Sequence, residues 1–213
     1  MCERQIDMKI FYLFKYELKP KFLFPVILPV SLVTVFLYLT SSINLYEFKL
    51  LNQGFLIPIF GIWIISVYKE FYEDSLKELL YCYPITIFQL GVKKVLIMIC
   101  FSFILIFPMT LFDENIYHSL LLYLSQISLF ISFGFLLITV TKNFEVAMTF
   151  ILLYVSTEFL TNGSFVPWPH IFVFEASLLE HQQYLLNKGV ITLFYSSMCL
   201  YIGQLFLSID KKE

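Results

Sequence analysis

Long apolar runs alternate with short charged stretches along the chain. A helix needs about 20 mostly apolar residues to cross the hydrocarbon core of a bilayer. Backbone groups in lipid must be hydrogen-bonded internally, so charge-poor runs of this length predict helices. We therefore expect an all-α, polytopic membrane protein, a single transmembrane domain over residues 1–213. Six transmembrane helices are predicted at about residues 22–41, 50–68, 95–112, 116–141, 146–162 and 189–209.

Composition supports a membrane protein and excludes several other classes. The chain is 59% hydrophobic and 14% charged, whereas soluble domains carry about 25% charged residues. The net charge of −2 argues against nucleic acid as a partner. Neither the 4 Cys nor the 3 His fall at a metal-ligand spacing. We expect no metal site and no directly bound cofactor.

The positions of Lys and Arg predict the orientation. With the N-terminus inside, 12 of the 14 basic residues fall in cytoplasmic segments, and only Lys49 and Lys188 lie outside. This asymmetry follows the positive-inside rule. The first apolar run is too long for the core of a signal peptide and reads as a retained span. We predict a multi-pass protein of the cell membrane with both termini in the cytoplasm.

Two segments are predicted not to span the membrane. Residues 1–21 include a stretch of helical spacing, interpreted as a helix lying in the cytoplasmic interface; the alternative is a simple charged tail. The outer stretch 161–188 is too apolar for a free loop and too broken by Gly163, Pro167 and Pro169 for a span. A partly re-entrant loop before the sixth span is expected there.

The cytoplasmic loop between spans two and three carries the strongest functional signal. At 100° per residue, residues 70–83 form an amphipathic helix, and Pro84 ends it. Its apolar face differs sharply from its charged face. The first holds Tyr72, Leu76, Leu79, Leu80 and Tyr83; the second holds Glu70, Glu73, Asp74, Lys77 and Glu78. Periodicity alone leaves two interpretations open: a helix resting on lipid, or a helix that docks a soluble partner.

The residues of this loop resemble those of a known family. Residues 73–80 read Glu-Asp-Ser-Leu-Lys-Glu-Leu-Leu, residues 83–86 read Tyr-Pro-Ile-Thr, and Lys93 and Lys94 directly precede the third span. This pattern resembles the segment between spans two and three of ABC-2 type transporter permeases. Residues 14–19, Phe-Lys-Tyr-Glu-Leu-Lys, are also similar to that family.

The resemblance implies the membrane subunit of an ATP-binding cassette exporter. Two permease copies, identical or different, would form a dimer, and each would dock a separate ATPase subunit through this loop. The implied substrate is a hydrophobic or amphipathic peptide, lipid-like molecule or drug. The implied docking and coupling residues are Glu73, Leu76, Lys77, Glu78, Leu79, Leu80, Tyr83 and Pro84.

The chain itself is not expected to be an enzyme. It lacks the Gly-rich G-x-x-x-x-G-K-[ST] loop that cradles phosphates, so ATP would act through the partner subunit. A membrane protease would need paired catalytic groups within the bilayer, and Glu158 alone does not supply them.

The alternative to the exporter subunit is a six-span substrate-binding subunit of an importer of the energy-coupling-factor type.

Among Asp, Glu, Lys and Arg, Glu158 is the one residue within a predicted span. A charge inside the bilayer is costly, which makes such residues functional candidates. Two interpretations are open for Glu158: a place in the translocation path or at a dimer contact, or a tolerated acid near the outer interface.

Overall fold

The computed structural model describes residues 23–40, 42–72, 88–111, 116–164, 169–175 and 181–210. Every regular element in these ranges is helical, so the expected all-α class is confirmed for this part of the chain. We number the helices in chain order. They are α1 (Leu23–Leu39), α2 (Leu45–Leu51, a π-helical turn Asn52–Leu56, then Ile57–Tyr72), α3 (a π-helical turn Gln89–Lys93, then Lys94–Thr110), α4 (Ile116–Thr141), α5 (Phe144–Thr161) and α6 (Gln182–Asp210).

Five of these helices, α2 to α6, are long and apolar enough to cross a membrane. This is the architecture of a multi-pass membrane protein. The helix on the first predicted span, α1, has 17 residues, a length of about 25 Å at 1.5 Å per residue. Within the described ranges, the chain therefore has five helices of spanning length and a shorter apolar one.

Helix α4 lies at the centre of the bundle, where it contacts α2, α3, α5 and α6. It runs parallel to α2 and α6, as paired contacts show. From α2, Gln53 meets Gln126 and the later Gly61 meets Gly134; from α6, Gly189 lies near Ser125 and the later Ser196 meets Ser132 with hydroxyls 3.0 Å apart. We call the end where α4 and α6 begin the Glu158 end, and the opposite end the Lys94 end.

Glycine allows α2 and α4 to pack with their backbones almost in contact. A Cβ at Gly134 would lie 2.5 Å from the carbonyl oxygen of Gly61, and a Cβ at Gly61 would lie 2.9 Å from that of Phe130. Small residues permit such close approach between membrane helices, where dispersion contacts rather than the hydrophobic effect drive association.

Side chains of two other helices bind the π-helical turn of α3 at the Lys94 end. The Tyr68 hydroxyl donates to the Leu90 carbonyl, and the Val92 amide donates to Oε1 of Gln204 at 3.2 Å. Lys94 is buried, and its Nζ lies 5.2 Å from the centroid of the Tyr68 ring. The start of α3 is thereby fixed to α2 and α6.

Two helices begin earlier than the predicted spans because their lysines have partners. Because lysine is charged, the predicted third and sixth spans begin only after Lys94 and Lys188. In the structure α6 begins at Gln182, and α3 begins before Lys94. A Lys can enter an apolar helix when its amine reaches an acceptor or an aromatic face. Lys188 donates to a backbone carbonyl, that of Phe172.

Candidate functional site at the Glu158 end

Glu158 lies inside the protein, on the last turns of α5. It is 1% exposed, and its Oε1 is 2.9 Å from Nδ1 of His170. Its Oε2 accepts the backbone N–H of Ile171 at 3.3 Å. Asn162 and Gly163 follow with φ of 48° and 72°, left-handed values that end the helix. The carboxylate therefore binds a segment that comes shortly after its own helix.

That segment, residues 169–175, is not helical, and we call it the buried strap. Among the described residues, its backbone makes no hydrogen bond to another backbone group. Buried peptide groups need partners, and polar side chains of the helices supply them. Non-helical backbone at membrane depth is tolerated where protein surrounds it in this way.

Four helices contribute these side chains. Tyr154 of α5 donates to the Pro169 carbonyl and Tyr46 of α2 to that of Phe174. The remaining contacts to the strap backbone are Gln126 Nε2 of α4 to the Ile171 carbonyl at 3.0 Å, Lys188 Nζ of α6 to the Phe172 carbonyl at 2.6 Å, and the Val173 N–H to Oε1 of Gln53 at 3.0 Å.

The side chains of the strap fill apolar space between the helices. Ile171, Phe172 and Val173 are all buried. The Phe172 ring stacks on Phe130, with centroids 5.9 Å apart, and meets the ring of Phe159 at 5.5 Å. The strap thus combines backbone contacts to polar side chains with apolar pockets for its own side chains.

Gln53 and Gln126 join α2 to α4 beneath the strap. Both are 0% exposed, and Nε2 of Gln126 donates to Oε1 of Gln53 at 3.0 Å. Gln53 lies in the π-helical turn Asn52–Leu56, and π-helical turns inside α-helices are frequent at functional sites. Two buried amides in a membrane-type core are explained by the strap backbone that they bind.

Glu158 and Lys188 bring opposite charges to the same place. The two groups attract each other electrostatically, and each also binds the strap through a hydrogen bond. A charge in an apolar interior is stable when it is paired and hydrogen-bonded. The geometry places Glu158 in contacts within one chain; a role in a translocation path or at a dimer contact stays a prediction.

Sequence reasoning singled out Glu158 but missed the residues that act with it. The sequence alone assigns no role to Gln53, Gln126 or Lys188, and His170 lies within the outer stretch 161–188 with no partner assigned. The usable signal was a strongly polar side chain within or beside an apolar run. The eight predicted docking residues, Glu73 to Pro84, lie outside the described residues, as does the predicted interfacial helix before residue 22.

A polar cleft lies at the Lys94 end, beside the last residues of α2. Its volume is about 300 Å³. Within the described residues it is lined by Lys69, Tyr72, Ile138, Lys142, Asn143, Phe144 and Glu145. The cleft therefore adjoins the point where α2 leads into the predicted docking loop.

Comparison of the chain with protein-family models, with curated proteins and with solved structures found no match. The resemblance to ABC-2 type permeases thus rests on the motifs of the sequence.

Proposed function

We propose that the chain is the membrane-spanning permease subunit of an ATP-binding cassette exporter. It would work as a dimer in the cell membrane and move a hydrophobic or amphipathic substrate outward with energy from a separate ATPase subunit. The finer topology belongs to the same proposal: six spans, cytoplasmic termini, an N-terminal interfacial helix and a partly re-entrant outer loop, residues 161–188, before the sixth span.

The observation that carries the proposal is the motif of residues 73–94 together with its position. Most of this segment connects α2, which ends at Tyr72, to α3, which begins with the turn Gln89–Lys93. A helix docked to an ATPase must pass its movement to the spans. The Tyr68–Leu90 hydrogen bond ties the two flanking helices together, so a displacement of the loop acts on both.

The outer surface of the bundle fits this proposal. Large apolar side chains are exposed on several helices, among them Phe36 at 65%, Ile104 at 66% and Phe194 at 62%. Exposed apolar surface of this extent is typical of proteins that contact membranes or other subunits. Lipid and a second permease copy are the proposed neighbours of these faces.

Co-purification tests the docking role. We would tag the chain, express it in its native host, extract it in mild detergent and measure the ATP hydrolysis that co-purifies. Leu80→Asp or Glu78→Lys should lower the co-purified activity roughly tenfold or more, because a few central residues carry most of the affinity of an interface. Tyr117→Glu is the matched control, since Tyr117 is 86% exposed at the Glu158 end.

The control should keep full activity, and all variants should reach the membrane in equal amounts. Co-purified hydrolysis that is equal in wild type, Leu80→Asp and Glu78→Lys would exclude docking through this loop. Absence of any ATP-hydrolysing partner from the wild-type preparation would contradict the exporter itself.

A further inference from the structure

The contacts of the buried strap have the form of a receptor with a bound peptide. Six helix side chains meet its main chain: Tyr46, Gln53, Gln126, Tyr154, Glu158 and Lys188. We call these six residues the strap groove. Recognition through backbone groups supplies affinity for many sequences, while side-chain pockets select among them.

The pockets of the groove select for apolar side chains. Phe172 lies between the rings of Phe130 and Phe159, and the Phe174 ring meets Phe159 edge-on with centroids 5.3 Å apart. Aromatic pairs of this geometry add to the free energy of burial. A peptide that matches the groove therefore needs free main-chain N–H and C=O groups and large apolar side chains.

The groove also contains hydrogen-bonding atoms that the strap does not contact. Gln53 and Gln126 are fully buried, yet Nε2 of Gln53 and Oε1 of Gln126 have no hydrogen-bond partner among the described residues. Buried polar atoms without partners are costly. One free donor and one free acceptor match the two kinds of group that a peptide main chain offers.

We infer that the strap groove is a binding site for a short apolar peptide, recognised through its main chain, and that residues 169–175 occupy this site within the same chain. The inference rests on the proposed function in one respect, because it names an apolar peptide as the exported substrate. The strap then closes the site until a peptide displaces it.

The first experiment detects displacement in the full-length protein. Val173 is 1% exposed, so Val173→Cys places a thiol of similar size where reagents cannot reach it. The probe is a synthetic peptide with the sequence of residues 169–175 and blocked ends. At ten times its dissociation constant, a peptide that binds only the open groove raises the open population roughly tenfold. The labelling rate of Cys at this position, followed by mass spectrometry, should rise by the same factor.

A matched pair of methylated peptides tests main-chain recognition. Methylation of the nitrogens equivalent to Ile171 and Val173 removes the donors to Glu158 and Gln53 and should weaken the effect roughly tenfold. Methylation at the nitrogen of Phe172, which contacts no side-chain acceptor among the described residues, should change it little. Gln126→Leu in the Val173→Cys background should also weaken the effect.

A labelling rate that millimolar peptide leaves unchanged would overturn the inference and make the strap a fixed part of the fold. An equal response to both methylated peptides would overturn main-chain recognition. These measurements use the permease chain alone. Failure here therefore leaves the docking of an ATPase untouched, and failure of co-purification leaves the groove untouched.

Discussion

At the scale of single residues, Glu158 shows how a membrane-type core accommodates a carboxylate. Moving a charge into such an interior is unfavourable unless partners replace the lost water. Glu158 has the His170 ring on one oxygen, the Ile171 N–H on the other, and the Lys188 charge nearby. The core can hold the Glu158 carboxylate because these partners replace the lost water.

Glu158→Leu should destabilise the protein, because it leaves the Ile171 N–H and the His170 ring without their acceptor. An unpaired buried polar group costs about 1–3 kcal/mol, and we expect a loss of at least this size in the free energy of unfolding. Titration with a denaturing detergent measures it. The control is Glu145→Leu on the exposed first turn of the same helix, where the loss of a favourable helix-dipole contact costs only about 0.3–1 kcal/mol. Equal losses in the two variants would show that the contacts of Glu158 do not stabilise the fold.

At the scale of helices, apolar runs predicted the elements well and their ends less well. The runs around residues 116–141 and 146–162 correspond to α4 and α5, because long charge-poor segments have few alternatives. The beginning of α6 could not be predicted from charge. Lys188 marks a helix end only if its amine needs water, and here the Phe172 carbonyl replaces water.

The sequence predicted one residue of the candidate site but not its partners. Glu158 was visible because it interrupts an apolar run. Its partners were not, since Gln53 and Gln126 are far apart along the chain and meet only where α2 and α4 pack. No local pattern encodes which helices become neighbours.

The π-helical turn of α3 gives a prediction at the same scale. A Cβ at Gly91 would lie 1.8 Å from Oε1 of Gln204, so Gly91→Ala should push this side chain away and break its bond to the Val92 amide. The loss of one hydrogen bond should speed hydrogen exchange at Val92 about three- to tenfold. Exchange measured by mass spectrometry tests this.

Gln204→Leu should speed the exchange of Val92 by a similar factor. The double variant should exchange no faster than either single variant, because both substitutions remove the same hydrogen bond. Gly189→Ala, elsewhere on the same helix as Gln204, is the control: its Cβ would lie 3.2 Å from the Leu121 side chain and 3.8 Å from Oγ of Ser125. A double variant that exchanges faster than both single variants would show that Gly91 and Gln204 act independently.

At the scale of the whole molecule, the bundle is organised around α4, with apolar side chains on its outside. Helices α2 and α6 flank α4, α5 packs against α2 and α4, and the strap lies at the Glu158 end. Whether α1 crosses the membrane decides on which sides the two termini lie. With α1 across the membrane both termini lie on one side; with only α2 to α6 across it, they lie on opposite sides.

The native cysteines decide between these topologies. Cys2 precedes α1 and Cys82 lies between α2 and α3, whereas Cys100 and Cys199 lie within apolar helices. A membrane-impermeant maleimide should label neither Cys2 nor Cys82 in intact cells and both after permeabilisation, because the distribution of basic residues places both inside. Tyr117→Cys, at a position that is 86% exposed at the Glu158 end, should be labelled in intact cells.

Labelling of Cys2 but not Cys82 from outside would mean that α1 does not cross the membrane and that only α2 to α6 span it. Labelling of Cys82 from outside would place the predicted docking loop outside the cell, away from any cytoplasmic ATPase.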